Sequence, residues 1–261
     1  MGGTMHRLLV ETPELSRESP ALSRDALHHL KVLRPKDGEE IELFDGRGKS
    51  RRFSVAGGGK DFRLAALSPV CIAPRASRSL TLFACVTKGS RWDWTIEKAT
   101  ELGVTRIVPV ISARTIVRIG LGEREAKRAR WIRIAEDAAR QSDAKWIPEI
   151  HEPVSFAESL PLVRETTCFV GALTNPPPRP MVEAMRSSCG RLGDAPLPDS
   201  PRSFAVYVGP EGDFSPEELA ALVEIATPVS FGSTILRAET AAIYGVSVLK
   251  SFLDAAYSSV P

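Results

Sequence analysis

The sequence predicts a small β-rich domain followed by an α/β domain with a largely parallel sheet. Residues 5–72 contain short apolar runs that alternate with polar residues and are separated by turns. After residue 79, strand-like apolar runs alternate with helical patterns, as in α/β folds. Ala73 to Ser79 contains Pro74 and small residues and fits a linker. We therefore predict domains over residues 1–73 and 80–261.

Four strands are predicted in the first domain: Arg7 to Val10, Glu39 to Phe44, Arg51 to Val55 and Phe62 to Leu67. Asp45-Gly46 is a hairpin signal between the second and third strands, and Gly57-Gly58-Gly59 is another. Gly48-Lys49-Ser50 is similar to the end of a phosphate-binding loop. Because that motif requires an earlier glycine where the chain has Leu43, a phosphate-binding loop is rejected.

The second domain is predicted to begin with a strand from Leu80 to Val86 and a helix that Ser90 caps and Gly103 ends. The buried face of this helix contains Trp92, Ile96 and Ala99. Further predicted elements are strands Val104 to Ile111, Cys168 to Leu173 and Phe204 to Val208, and a basic amphipathic helix from Glu123 to Gln141. Segments 174–180 and 190–203 are rich in Pro, Gly and Ser and are predicted to be loops without chemistry.

The strand from Phe204 to Val208 ends abruptly in Gly209-Pro210-Glu211-Gly212. Glycine at both ends permits positive φ angles and close approach of a ligand, and Pro210 stiffens the middle. Ser215 and Glu218 form a capping box around Pro216, which suits the first helical position. The turn therefore lies at the carboxyl edge of a sheet, where open α/β sheets bind ligands. Taken alone, this motif is more typical of a tight strand-to-helix turn without a ligand.

A second glycine turn, Phe231-Gly232-Ser233-Thr234, follows a short strand from Pro228 to Phe231 and precedes a helix from Ala238 to Ala256. Ile235 and Leu236 offer an apolar surface, and Arg237 offers a cation near a helix N-terminus. Each of these residues alone fits a core or capping position. The pairing of the two glycine loops predicts that both face one pocket.

Composition indicates a soluble globular protein, since 43% of the 261 residues are hydrophobic and 25% are charged. No apolar run is long enough to cross a membrane, and Met1 to Glu14 lacks a signal-peptide pattern, so the expected location is cytoplasmic. The four cysteines are irregularly spaced, and no histidine lies near the glycine loops. Neither a metal site, a disulfide framework nor nucleophilic catalysis is indicated.

The net charge of +2 arises from 34 basic and 32 acidic residues, which excludes binding of nucleic acid by overall charge alone. One local cluster on the predicted basic helix contains Arg124, Lys127, Arg128, Arg130 and Arg133. It fits either a phosphate-facing stripe or a solvated helix face.

A series of short motifs is spread along nearly the whole chain: Arg7-Leu8-Leu9-Val10, His28 to Arg34, Leu43 to Gly48, Lys88-Gly89, Trp94, Glu97 to Val104, Gln141-Ser142, Gly209 to Gly212 and Ile235 to Ala241. Their order and spacing resemble the SPOUT-class RNA methyltransferases, and within them the RsmE group, which methylates N3 of a uridine in small-subunit ribosomal RNA. The chain departs from the family pattern at Asp213, where glycine is common, and at Ala238 and Arg140.

The resemblance implies a PUA-like β-barrel domain followed by a SPOUT α/β domain tied in a trefoil knot, with S-adenosylmethionine held bent in the knot. It implies a homodimer that acts on ribosomal RNA or the small ribosomal subunit without a metal. By family motif, the cofactor-binding residues are Ala172, Leu173, Val208, Gly209, Pro210, Glu211, Gly212, Phe231, Gly232, Ile235, Leu236, Thr240 and Ala241.

The implied reaction is in-line attack of uridine N3 on the sulfonium methyl group, for which Arg237 is the candidate cation. Glu211, Glu239, or the Glu97 and Glu101 region of a partner subunit is the candidate base, and the sequence does not choose among them. The expected RNA contacts are Arg7, Arg34, Arg47, Lys88, Arg91 and Lys98. The alternatives are a non-catalytic RNA-binding assembly factor and an enzyme of another class that binds a nucleotide phosphate.

Overall fold

The computed structural model describes residues 5–57, 62–163, 166–189 and 203–257. These residues form two compact units, of which the first is Met1–Arg75 with Glu136–Ile147 and the second is Ala76–Ala135 with Pro148–Pro261. The predicted boundaries place the segment Glu136–Ile147 in the second domain, whereas its contacts assign it to the first unit. One reason is Arg7, whose guanidinium donates to the carbonyl oxygens of Ala139 and Ala144 at 2.8 and 3.2 Å.

The strands of the first unit are β1 (His6–Leu9), β2 (Glu40–Phe44), β3 (Lys49–Ala56), β4 (Arg63–Ala66) and β5 (Cys71–Ile72). They follow the order β1-β2-β3-β4, with β5 also paired to β3. The β1–β2 pairing is parallel and the others are antiparallel. Helix α1 (Arg24–Leu33) packs on β1 and contributes the fully buried Leu30 to the core of this unit. The four predicted strands are confirmed within one or two residues, and β5 is additional.

The Asp45-Gly46 hairpin between β2 and β3 is confirmed. Asp45 Oδ1 accepts hydrogen bonds from the backbone N–H groups of Arg47 and Lys49 at 2.8 and 3.0 Å. Gly46 has a φ of 66°, which glycine adopts at little cost. The predicted Gly57-Gly58-Gly59 turn lies largely outside the described residues.

The second unit contains a parallel sheet with the strand order β12-β10-β11-β6-β7-β8, with β9 also paired to β7. Its strands are β6 (Ser79–Cys85), β7 (Arg106–Ile111), β8 (Glu149–Ile150), β9 (Val154–Ser155), β10 (Thr167–Gly171), β11 (Ser203–Val208) and β12 (Thr227–Val229). Every pairing in it is parallel. The central strands are buried almost throughout, as parallel strands covered on both faces should be. The predicted α/β arrangement is therefore confirmed.

The remaining helices are α2 (Ser90–Glu101), α3 (Arg124–Gln141), α4 (Phe156–Val163), α5 (Met181–Cys189), α6 (Pro216–Val223) and α7 (Ala238–Tyr257). The two units divide within α3. Helices α4 and α5 and the two-residue strands β8 and β9 were not predicted. The predicted cap of α2 was wrong, because the N-cap is Gly89 with a φ of 67° and Ser90 is already helical. The capping box of α6 is confirmed in both directions between Ser215 and Glu218.

Candidate functional site

A cavity of about 260 Å³ lies where the chain leaves the carboxyl ends of β10, β11 and β12. The residues that line it come from three neighbouring segments: Gly171 to Leu173 after β10, Val208 to Glu211 with Asp213 after β11, and Ser230 to Ala238 (Ser233 excepted) with Ala241 after β12. The two glycine loops therefore face one cavity, as the sequence predicts. Because parallel strands end at the same sheet edge, the topology brings these loops together.

Most of the predicted cofactor-binding residues line the cavity. Gly212 and Thr240 are the predicted ones that do not line it. Sequence reasoning missed several residues that do: Gly171, Asp213, Ser230, Thr234 and Ala238. Most of these residues are neighbours of predicted positions. The sequence does not show which residues of a turn face the cavity, because that depends on the path of the backbone.

The first loop reverses direction at Asp213 and not at its glycines. Asp213 has a φ of 60°, whereas Gly209 and Gly212 do not use the positive φ that glycine permits. Asp213 N–H donates to the Pro210 carbonyl at 3.0 Å, and Asp213 Oδ1 accepts from Phe214 N–H at 2.8 Å. Gly209 is closely packed, since a Cβ there would lie 3.0 Å from the Phe214 ring.

Two side-chain links fix this loop to the segment that follows β7. Arg114 Nη1 donates to the carbonyl oxygens of Gly212 and Phe214 at 2.8 and 3.1 Å. Glu218 Oε1 accepts from Ala113 N–H at 2.7 Å, while its Oε2 accepts from Ser215 N–H at 3.0 Å. Arg114 could not be identified from sequence, because its partners lie about a hundred positions away.

The second loop depends on close packing of Phe231. A Cβ on Gly171 would lie 2.4 Å from the Phe231 ring, and one on Gly245 would lie 3.3 Å from it. The ring therefore occupies space that two glycines leave open, and it forms part of the cavity wall. Ile235 is 82% exposed, so its prediction as an apolar surface residue at the cavity fits better than a core position.

Three charged residues line the cavity, namely Glu211, Asp213 and Arg237, and Arg91 lies beside Glu211. Arg237 is exposed, lines the cavity and forms no ion pair with any described residue. Arg91 Nη1 lies 3.2 Å from Glu211 Oε1, and its Nε lies 3.8 Å from Glu239 Oε1. The Arg91 guanidinium thus lies between the two carboxylates that the sequence proposed as bases.

Glu211 and Glu239 differ in their access to the cavity. Glu211 lines it, whereas Glu239 does not, and the Glu239 side chain is only 11% exposed. Glu239 Oε2 is buried and accepts no hydrogen bond from any described residue. The nearest cation to its carboxylate in the described structure is the Arg91 guanidinium, 3.8 Å from Oε1.

The predicted RNA contacts separate into engaged and free side chains. Arg7 is 5% exposed and its guanidinium is saturated by Glu42 and two carbonyl oxygens, so it is not available to RNA and that prediction was wrong. Arg91 is paired as above, and Lys98 Nζ donates to Glu97 and Glu101 at 2.8 Å each. The three that are exposed, with no side-chain partner among the described residues, are Arg34, Arg47 and Lys88.

The basic cluster of α3 is also largely engaged. Arg128 Nε donates to the Ile150 carbonyl at 2.7 Å, Arg130 pairs with Asp93, and Arg124 lies 3.9 Å from Glu158. Lys127 and Arg133 are exposed, and no described residue pairs with either. The cluster is therefore not a continuous row of free cations.

No group of three or more His, Cys, Asp and Glu side chains suited to a metal occurs in the part of the chain that the structure describes. Burial raises the pKa of the Cys85 thiol to about 12, and it also raises the pKa of Cys168. Both thiols are protonated at neutral pH, which makes them poor nucleophiles. No described helix is both long and apolar enough to span a membrane.

Two family models match the chain. The RNA methyltransferase domain matches residues 74–250, and the RNA methyltransferase PUA domain matches residues 22–63. Curated relatives bear the name ribosomal RNA small subunit methyltransferase E. The relative from Synechocystis is 28% identical over 95% of this chain and 78% of its own length, and the one from Bacillus subtilis is 27% identical over 94% and 96%. The relative from Aquifex aeolicus is 30% identical over 67% and 69%.

Solved structures share the fold. The ribosomal RNA small subunit methyltransferase E from Neisseria gonorrhoeae, bound to S-adenosylmethionine, has a TM-score of 0.75 at 28% identity and covers 95% of this chain and 98% of its own. A Legionella pneumophila protein in complex with the same cofactor has a TM-score of 0.80 at 27% identity, with the same coverage. The predicted fold, a PUA-like β domain followed by a SPOUT α/β domain, is thereby confirmed. Since the methyltransferase model spans well over half of the chain, the protein belongs to the RNA methyltransferase family, in its ribosomal RNA small subunit methyltransferase E group.

Proposed function

We propose that the protein transfers the methyl group of S-adenosylmethionine to N3 of a specific uridine in small-subunit ribosomal RNA. The observation that carries this proposal is the cavity at the ends of β10, β11 and β12. It combines an apolar wall, two glycine loops, the Glu211 carboxylate and the Arg237 guanidinium, which forms no ion pair within the part of the chain that the structure describes. Its family supplies the reaction class, and the site supplies groups that suit it.

The residues of the cavity fit S-adenosylmethionine. The apolar side chains of Leu173, Ile235 and Leu236 offer surface to an adenine ring, and the backbone near Gly209 and Gly232 offers hydrogen-bonding groups without a side chain in the way. Pockets of this kind combine an apolar lining with a few polar groups that fix orientation. When bound, the cofactor supplies an electrophilic methyl group.

For methyl transfer to N3, the protein must position the uracil ring and accept the N3 proton. N3 forms a bond to the methyl carbon while the carbon–sulfur bond breaks, so that S-adenosylhomocysteine leaves and the N3 proton passes to a base. Loss of that proton places negative charge on the flanking carbonyl oxygens. Arg237, as a free cation at the cavity, stabilises this charge.

Of the candidate bases on the chain that forms the cavity, Glu211 and Glu239, we assign the proton to Glu211. Glu211 lines the cavity, so a substrate placed there reaches its carboxylate, whereas Glu239 lies away from the lining. Glu239 and Glu211 both contact Arg91, so Glu239 positions the guanidinium that in turn holds Glu211. In this role Glu239 affects the reaction through Arg91.

The proposal includes a homodimer that acts in the cytoplasm, where ribosomal subunits mature. Its support is the pair of half-exposed aromatic side chains Trp94 on α2 and Tyr244 on α7, two helices that pack on each other. Light scattering after size-exclusion chromatography tests it, and a monomeric mass at micromolar concentration contradicts it.

The deciding experiment incubates the purified protein with radiolabelled S-adenosylmethionine and small ribosomal subunits from a strain that lacks the gene. Nucleoside analysis of the RNA should place the label in N3-methyluridine. Label in another nucleoside overturns the assignment of N3, and absence of label despite cofactor binding overturns the assignment of this substrate. RNA binding without any cofactor binding supports instead the non-catalytic assembly factor.

A further inference from the structure

Trp146, in the first unit, is a half-exposed indole whose position is fixed by the backbone around it. It is 36% exposed, whereas Trp92 and Trp131 are buried. Its Nε1 donates to the Pro74 carbonyl at 3.3 Å, and a Cβ on Gly48 would lie 2.4 Å from its Cζ2. The indole is therefore packed closely on backbone along part of its edge and open to solvent elsewhere.

One arginine contacts this indole through its side chain, and a second is paired with Trp146 through the backbone. The Arg75 guanidinium carbon lies 5.5 Å from the ring centroid, within the range of a cation–π contact. Arg47 pairs with Trp146 through an isolated antiparallel backbone bridge. Both arginines are exposed, and neither forms an ion pair with a residue that the structure describes. We call Arg47, Arg75 and Trp146 the Trp146 surface.

Two nearby cations of the same unit, Lys145 and Arg7, are paired with a carboxylate, unlike the arginines of the Trp146 surface. Lys145, the residue before Trp146, donates to both oxygens of Glu42 at 2.8 and 2.9 Å. Arg7 is buried against the same carboxylate. The acidic side chains of this region thus neutralise the inner cations and leave the charges beside the indole free.

A fixed, half-exposed aromatic ring with one guanidinium in contact and a second exposed arginine paired to its backbone has the chemistry that binds unpaired nucleotides. Bases stack on aromatic rings and on guanidinium planes, while arginine side chains bind the phosphates between them. We propose that the Trp146 surface binds a single-stranded segment of RNA, with one base stacked on Trp146 and the backbone held by Arg47 and Arg75. The inference rests on the proposed function only in taking this RNA as part of the substrate.

The test measures the affinity of the full-length protein for a fluorescein-labelled oligouridylate by fluorescence anisotropy, with a duplex of equal length beside it. Trp146→Ala should weaken binding of the single strand by roughly 5- to 100-fold, the range found for loss of one stacked base. Trp146→Phe should retain most of the affinity. Leu67→Ala, which alters a side chain 49% exposed in the same unit, is the control and should have no effect. Duplex binding should not depend on Trp146.

Two further variants keep the test valid if Trp146→Ala unfolds. Arg75→Gln and Arg47→Gln remove exposed charges and should each lower the slope of log affinity against log salt by about 0.7, the contribution of one single-strand phosphate contact. Unchanged affinity and salt slope in all the variants would overturn the inference and leave the surface to a protein partner. A wild-type protein that binds RNA through Trp146 but methylates none would refute the proposed reaction without touching this inference.

Discussion

Arg114 Nη1 donates to the carbonyl oxygen of Gly212 at 2.8 Å, and so links the segment after β7 to the loop that forms one wall of the cavity. The same nitrogen reaches the Phe214 carbonyl at 3.1 Å. These two bonds enclose Asp213, the residue at which the loop reverses. The conformation of the cavity wall therefore depends on a side chain that does not itself line the cavity.

Arg114→Ala should weaken S-adenosylmethionine binding by roughly 10-fold, since hydrogen bonds to charged groups contribute about 1.5 to 3 kcal/mol. Calorimetric titration measures the dissociation constant, and Arg114→Lys should recover part of the affinity. Arg118→Ala is the matched control, because Arg118 is exposed in the same segment and pairs with no described residue. Equal affinity in the wild type and Arg114→Ala would refute the positioning role.

Glu211→Gln should lower the rate of single-turnover methylation by about 100-fold or more, the scale of general-base catalysis, with little change in cofactor affinity. Glu239→Gln should have a smaller effect on the rate, because Glu239 reaches the site through Arg91. The pH dependence of the methylation rate distinguishes the two variants. Only the substitution that removes the true base should abolish the part of this dependence that comes from titration of a carboxylate. The reverse ranking would assign the proton to Glu239.

Asp213→Val should lower the free energy of unfolding by roughly 1 to 3 kcal/mol, because a β-branched residue is strained at a φ of 60°. Asp213→Gly should be close to neutral, since glycine removes the strain but also the hydrogen bond that Phe214 N–H donates to Asp213 Oδ1. Urea denaturation measures both. If valine is tolerated as well as glycine, the left-handed conformation is not required for folding.

Glu42 should make the first unit more stable at neutral pH than in acid. Although burial alone would raise the pKa of its carboxyl, hydrogen bonds from Lys145, Ser50 and Arg7 hold that pKa below its ordinary value. The stabilisation is therefore complete above the unfolded pKa of about 4.3 and is lost as pH falls through the lower folded pKa.

The measurement is the free energy of unfolding of the wild type and Glu42→Gln from about pH 3 to about pH 7. The difference between them should be largest near neutral pH and should shrink in acid. Glu40→Gln serves as the control, because Glu40 is exposed and its carboxylate lies 3.5 Å from an equally exposed Arg52. A difference independent of pH would show that the Glu42 charge contributes nothing.

The strand, turn and helix over residues 203–223 could be predicted from sequence because their determinants are local. An apolar run forms β11, and Ser215, Pro216 and Glu218 set the start of α6 within four positions of each other. Helices α4 and α5 were missed for the opposite reason. Helix α4 contains Pro161, and α5 is short and adjoins a segment rich in Pro and Gly, so neither has a clear local signal.

The two-part fold class, the two glycine loops and most residues of the cavity could be predicted from sequence, because periodicity, turn chemistry and family motifs all lie along the chain. The burial of Arg7, the position of Arg91 between Glu211 and Glu239, and the attachment of the first loop by Arg114 became known from the folded structure alone. Arg7 meets Ala139 across 132 positions and Arg114 meets Gly212 across 98, and contacts at such separations leave no periodic pattern in the sequence.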